Sequence, residues 1–142
     1  MIVIDSSIVI AAVVADEPLH TRVYTQLTRW SIAGEQLIAP PLLYAEVTAV
    51  CRKLVVQQRF NQADGQHILA QMLSFPIETI SHHAMYLRAF ELANLYALSR
   101  AYDTQYIALA EMQQCEFWTV DQRIVQTVSH QLPFVRWIGE EG

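Results

Sequence analysis

The chain opens with the stretch Ile2-Val3-Ile4-Asp5-Ser6-Ser7-Ile8-Val9-Ile10. Its first three residues are a short β-branched apolar run, which is typical of a buried strand. The serines that follow favour the start of a helix. Asp5 is the only charged side chain between Met1 and Val14. A carboxylate at the end of a buried strand needs a partner or takes up a proton, so this stretch predicts a strand, an isolated acid and then a helix.

Short apolar runs alternate with helical patterns along the rest of the chain. Because such alternation is typical of βα units, it predicts a parallel sheet covered by helices on both faces. No repeat or linker divides the sequence, so we expect one domain spanning residues 1–142. Strands are predicted at 1–4, 36–39, 76–80, 117–120 and 134–137, and helices at 6–14, 19–32, 41–57, 61–73, 81–98, 102–114 and 122–128.

The composition narrows the class of protein. Hydrophobic residues make up 53% of the chain, and they are interrupted before they reach membrane-spanning length, so we expect a cytoplasmic protein without a membrane segment. Cys51 and Cys115 are too far apart for a paired zinc motif. The net charge of −5 argues against a large basic surface for nucleic acid. Bound divalent cations would nevertheless supply positive charge for a phosphate.

Three further acids stand where a charge is unusual. Glu46 shares the apolar stripe of its predicted helix with Leu43 and Val50. Asp103 lies on the inward face of another predicted helix, and Asp121 directly follows a predicted strand. Ligands of open α/β sheets bind outside the carboxyl ends of the strands, which suits Asp121 and the acid of the opening stretch. Spacing alone does not bring Asp103 to that edge.

Each acid also has a purely structural interpretation that the residues leave open. These are helix capping by Asp103 or Asp121, acceptance of backbone N–H bonds by Asp5, and pairing of Glu46 with Arg52 or Lys53. Crowded carboxylates repel, so one or more would have a raised pKa. Mg²⁺ and Mn²⁺ prefer carboxylate and water oxygens and relieve that repulsion. The four acids together therefore favour a metal site over four separate structural roles.

Four segments, in order along the chain, resemble the motifs of the PIN-domain nucleases. They are IVIDSSIVI (2–10), PPLLYAEV (40–47), AYDTQYIALAE (101–111) and FWTVDQRI (117–124). The subgroup with the strongest resemblance is that of the VapC-like toxins of toxin–antitoxin pairs. The resemblance implies a three-layer α/β/α sandwich with a central, mostly parallel five-stranded sheet, and acids gathered at one edge.

The same resemblance implies an activity and partners. It implies an endoribonuclease dependent on Mg²⁺ or Mn²⁺ that cleaves RNA phosphodiester bonds, that forms a homodimer and that is inhibited by a small antitoxin protein. The residues that match the family's acidic positions, as metal ligands and catalytic groups, are Asp5, Glu46, Asp103 and Asp121.

Three other residues are predicted to position substrate or water. Ser7 and Thr119 match polar positions of the family, and Arg123 is the one arginine in the segment after the fourth acid, where relatives are often more basic. Arg100, Arg52 and Lys53 are further candidates for phosphate contacts, although for these three and for Arg123 the sequence favours a solvated surface charge.

The residues do not fit two rival classes of enzyme. An aspartyl-phosphate phosphatase needs a second acid two residues after the first, where this chain has Ser7. The single lysine of this chain, Lys53, fits neither that class nor a receiver domain. No glycine-rich phosphate loop is present in the sequence. The remaining alternative is a non-catalytic PIN-fold module that binds RNA or protein.

Overall fold

The structure is a computed structural model that describes residues 1–98 and 101–140. Within these ranges the chain forms five strands and seven helices. In chain order they are β1 (Ile2–Ile4), α1 (Ser6–Val13), α2 (His20–Ala33), β2 (Leu37–Ala39), α3 (Leu42–Val56), α4 (Gln62–Leu73), β3 (Ile77–Thr79), α5 (His83–Leu95), α6 (Asp103–Gln113), β4 (Glu116–Thr119), α7 (Gln122–Val128) and β5 (Val135–Trp137).

The five strands form one parallel sheet in the order β3-β2-β1-β4-β5. The opening strand is therefore central, and Ile2, Val3 and Ile4 are all buried. Ile4 pairs with Trp118 in the neighbouring strand β4. Since all strands run the same way, the residues that follow β1 and β4 emerge at the same edge of the sheet. Asp5 and Asp121 both lie at this edge.

Helices cover both faces of the sheet. Phe117 and Trp118 are consecutive in β4 and point to opposite faces. Tyr106 of α6 stacks on Phe117 with ring centroids 5.7 Å apart. Trp30 of α2 meets Trp118 edge to face, also at 5.7 Å. The predicted three-layer α/β/α sandwich with a five-stranded sheet is confirmed, and the sheet is entirely parallel among the described strands.

One predicted helix boundary was wrong. Ser81 was expected to begin a helix that runs to about residue 98, but α5 begins at His83 with His82 as its N-cap. The Ser81 hydroxyl instead hydrogen bonds with the hydroxyl of Tyr86, at 3.1 Å. The helix ends at Leu95 because Ala97 adopts a left-handed φ of 53°, which cannot continue a helix. By contrast, α4 begins directly after Asn61, which is its N-cap.

No helix in the described part of the chain is long and apolar enough to cross a membrane.

Candidate active site

Asp5 is held by three hydrogen bonds at the end of β1. It is 6% exposed and is the N-cap of α1, where Oδ1 accepts the backbone N–H of Ile8 at 3.3 Å. Ser7 Oγ donates to the same oxygen at 2.5 Å, and Thr119 Oγ1 donates to Oδ2 at 2.6 Å. The carboxylate is thus fixed by its own helix and by the neighbouring strand β4.

The two hydroxyls also tie β1 to the chain that leaves β4. Ser7 Oγ accepts the backbone N–H of Val120 at 3.0 Å, and Thr119 Oγ1 accepts that of Asp121 at 3.1 Å. A hydroxyl has only one proton to donate, and in both residues it points to Asp5. That Ser7 and Thr119 position substrate or water stays a prediction. In the structure they position Asp5 and the backbone that carries Asp121.

Burial governs the protonation of Asp5. The pKa of this carboxyl is raised to about 7, chiefly by desolvation and to a smaller extent by the charge of Glu46, while the hydrogen bonds from Ser7, Thr119 and Ile8 lower it. The group therefore exchanges its proton near neutral pH. A carboxyl in this condition binds a cation readily once the proton leaves, because it has already lost most of its hydration.

Glu46 of α3 is half-buried and faces α6. The Tyr106 hydroxyl donates to Glu46 Oε1. Desolvation raises the pKa of Glu46, and so does the charge of Asp103, whereas the bonds from Tyr106 and from the Ser6 side chain lower it. The structure gives Glu46 this tyrosine as its partner, not the Arg52 or Lys53 that the sequence had left open.

Asp103 and Asp121 line an open cleft of about 210 Å³ together with Arg123 and the apolar side chains of Ile124 and Val128. Asp121 is the N-cap of α7, and its Oδ1 accepts the backbone N–H of Arg123 at 3.0 Å. Asp103 is the first residue of α6, not its cap. Burial raises the pKa of Asp103, and the charge of Asp121 raises it further, while Arg123 lowers it.

The four acids lie as a series of neighbours. Charge repulsion acts between Asp5 and Glu46, between Glu46 and Asp103, and between Asp103 and Asp121. As the side chains stand, no three carboxylate, histidine or cysteine groups within residues 1–98 and 101–140 are close enough to hold one ion. The fold brings the four predicted acids to one edge of the sheet without closing them into a ligand cage.

Positive charge at this edge is sparse. Arg123 is the one base that forms an ion pair with any of the four acids in the described ranges, to Asp121 Oδ1 at 3.4 Å, and its side chain is 90% exposed. Arg52 and Lys53 are exposed on α3. Arg100, also a candidate phosphate contact, lies outside the described residues.

Sequence reasoning missed Tyr106. It lies three residues after Asp103 and therefore on the same face of α6, where an aromatic side chain is ordinary core packing. The available signal was its hydroxyl, because a tyrosine on a fully apolar stripe needs a partner for its O–H group. Its partner, Glu46, had already stood out in the sequence as a charged side chain on an apolar stripe.

Comparisons with known proteins agree with this arrangement. The PIN domain family matches residues 2–128. Ribonuclease VapC9 of Mycobacterium tuberculosis is 32% identical over 134 residues, which are 94% of this chain and 95% of the relative. The family match spans the positions of Asp5, Glu46, Asp103 and Asp121.

Two solved structures share the fold. A toxin–antitoxin complex from Klebsiella pneumoniae has a TM-score of 0.66 and 18% identity, with 99% of this chain and 100% of that chain covered. The sarcin–ricin loop cleaving toxin VapC20 of Mycobacterium tuberculosis has a TM-score of 0.64 and 15% identity, with 96% and 99% covered. The chain belongs to the PIN-domain family, in the branch of the VapC ribonucleases.

Proposed function

We propose that this chain is a metal-dependent endoribonuclease that cleaves RNA phosphodiester bonds, and that it is the toxin of a toxin–antitoxin pair. The observation that carries the proposal is the gathering of four acids, two of them at strand ends, at one edge of a parallel sheet in a chain of the VapC branch. In this proposal Asp5, Glu46, Asp103 and Asp121 hold the metal.

The donor set suits a hard divalent cation. All four groups are carboxylates, the ligands that Mg²⁺ and Mn²⁺ prefer, and neither Cys51 nor Cys115 is among them. Burial and mutual repulsion raise the pKa of Asp5, Glu46 and Asp103, which means that their negative charge lacks compensation. A cation of charge +2 removes that penalty. A bound Mg²⁺ or Mn²⁺ would lower the pKa of its water and would supply positive charge for the phosphoryl oxygens.

We assign different roles in the reaction to the acids of the site. Both oxygens of Asp5 accept hydrogen bonds, so its carboxylate is held in place for metal binding. Asp103 and Asp121 line the open cleft, where water and substrate have access. We therefore assign proton acceptance from the attacking water to this second pair. The cleft volume of about 210 Å³ is several times the roughly 30 Å³ of one liquid water.

Arg123 is the proposed phosphate contact. Its exposed guanidinium lies beside Asp121 at the mouth of the cleft. Guanidinium groups bind phosphate oxygens through two parallel hydrogen bonds, and the exposure of this side chain leaves it free to turn toward a substrate. In the absence of substrate Arg123 offsets part of the charge of the acids.

Two further proposals follow from the VapC branch. The chain forms a homodimer, and a small antitoxin protein inhibits it. A molar-mass measurement of the purified chain tests the first. Co-purification with the product of an adjacent gene, followed by loss of RNA cleavage in the complex, tests the second.

Cleavage of a generic single-stranded RNA tests the proposed function. The wild type should cut RNA in Mg²⁺ or Mn²⁺ and not in EDTA, and Asp5→Asn and Asp121→Asn should both lose cleavage. Asp64→Asn, which alters an exposed acid in the first turn of α4, is the matched control and should cut normally. Cleavage that persists in EDTA, or in both site variants, contradicts the proposal. RNA that is bound but left intact by the wild type would establish the non-catalytic binding module instead.

A further inference from the structure

Tyr106 is a buried tyrosine whose polar end reaches the candidate site. It is 0% exposed, and its ring stacks on Phe117 at 5.7 Å with an interplanar angle of 12°. The ring is thereby fixed against the central sheet. Its hydroxyl donates to Oε1 of Glu46, which lies 60 residues earlier on a different helix. The donor is thus held against the sheet, and the acceptor is a longer side chain on α3.

The contact joins three helices at one point. Tyr106 belongs to α6, Glu46 to α3 and Ser6 to α1. Ser6 lies close enough to both groups to lower the pKa of each. A glutamate side chain has three rotatable bonds, so without such partners it would sample several positions at its half-buried location.

The bond leaves the carboxylate able to bind a cation. An ionised carboxylate has two oxygens and about four lone-pair sites, and the bond from Tyr106 uses one of them. A tyrosine hydroxyl keeps its proton at neutral pH, so Tyr106 acts as a donor to Glu46.

We propose that Tyr106 is a positioning residue that orients Glu46 for divalent-cation binding. This inference rests on the proposed metal site, and it adds a residue that acts on the metal only through Glu46. Partners of this kind orient metal ligands in many proteins, and their removal typically weakens metal affinity by about 10- to 100-fold. The stacking on Phe117 belongs to the ring, so it is retained when only the hydroxyl is removed.

The test is a calorimetric titration of metal-free protein with Mn²⁺, for the wild type, Tyr106→Phe, Glu46→Gln and the double variant. Tyr106→Phe should bind Mn²⁺ at least about 10-fold more weakly than the wild type. In the Glu46→Gln background the same change should alter the affinity by less than about twofold, because the ligand it orients is already changed. Tyr86→Phe removes an exposed hydroxyl from α5 and should match the wild type.

RNA cleavage gives a second readout that a general folding defect would not produce. The Mn²⁺ concentration for half-maximal cleavage by Tyr106→Phe should rise about 10-fold, while the rate at saturating Mn²⁺ returns to near that of the wild type. The inference is overturned if Tyr106→Phe binds Mn²⁺ as the wild type does, or if it loses the same factor in both backgrounds. A wild type that binds no Mn²⁺ overturns the proposed metal site itself, and this inference with it.

Discussion

Thr119 Oγ1 donates a 2.6 Å hydrogen bond to Asp5 Oδ2 across 114 residues of sequence. The same oxygen atom of Thr119 accepts the backbone N–H of Asp121. One buried hydroxyl therefore joins the acid at the end of β1 to the acid at the end of β4. The relative placement of these two carboxylates depends on a side chain that carries no charge.

Replacing Thr119 with valine should separate these two acids while keeping the shape of the buried side chain. The change leaves one oxygen of Asp5 and the N–H of Asp121 without their partner. We expect a loss of about 1–3 kcal/mol in the free energy of unfolding for a buried group left unsatisfied. RNA cleavage should fall by about 10- to 100-fold.

Urea unfolding and a cleavage assay measure these two effects. Thr48→Val is the matched control, because Thr48 is an exposed threonine on α3 whose hydroxyl bonds only to the carbonyl of Tyr44. Equal cleavage by the two valine variants would show that the Thr119 hydroxyl does not organise the site.

The stability of the metal-free protein should depend on the protonation of Asp5. The folded pKa is about 7 and the ordinary value is 3.8, so between about pH 4 and 7 the folded chain keeps a proton that the unfolded chain has released. Stability therefore falls as pH rises through this window and levels off above it. Glu46 and Asp103, whose pKa values are also raised, act in the same direction.

Asp5→Asn removes the largest part of this dependence. At 1.36 kcal/mol per pKa unit, Asp5→Asn should be more stable than the wild type at pH 8 by at most about 4 kcal/mol. This difference should vanish at pH 4. Urea unfolding in EDTA at several pH values measures it. A pH profile for Asp5→Asn that parallels those of the wild type and Asp64→Asn would show that Asp5 does not carry the effect.

Divalent cations should stabilise the folded chain through Asp103 as well as through the buried acids. A ligand present at 100 times its Kd and bound only to the folded state adds about 2.7 kcal/mol. We expect a smaller gain for Asp103→Asn at the same Mn²⁺ concentration. Thermal melts with and without Mn²⁺ provide the measurement. A gain equal to that of the wild type would remove Asp103 from the metal site.

Arg123→Gln should have opposite effects on the two ligands of the cleft. RNA binding should weaken, because one phosphate contact to a single strand is lost. The slope of log K for RNA binding against log[salt] should become less steep by about 0.7. Mn²⁺ binding should strengthen, since a competing positive charge beside Asp121 is removed. Fluorescence anisotropy of a labelled RNA and calorimetry with Mn²⁺ separate the two.

Arg29→Gln, a change of an exposed arginine on α2, controls for the loss of one charge. If both arginine variants weaken RNA binding equally, the role of Arg123 is that of general surface charge and not of a contact at the cleft.

The sheet was predictable because each strand is a short apolar run followed by a helix signal. Asp5 and Asp121 could be placed at one edge for the same reason, since each directly follows such a run. Asp103 could not, because it follows a helix, and only the packing of α6 against β1 and β4 brings it to that edge. Tertiary packing, not local pattern, decides its position.

The hydrogen bonds within the site were harder to predict from the sequence. A serine and a threonine near an acid predict a polar position, but their single protons could point to substrate, water or the acid itself. The structure directs both to Asp5. Tyr106 was missed for another reason: its ring satisfies the apolar pattern of α6, and only its contact with Glu46 on a distant helix shows that its hydroxyl reaches the site.

The central claim is that the four carboxylates bind one or more divalent cations, and anomalous diffraction from crystals soaked in Mn²⁺ tests it most directly. We expect a manganese peak bonded to carboxylate oxygens of the group Asp5, Glu46, Asp103 and Asp121, reached by small movements of these side chains. A protein that cleaves RNA in Mn²⁺ while its crystals show the ion bound elsewhere, and none among these acids, would contradict it.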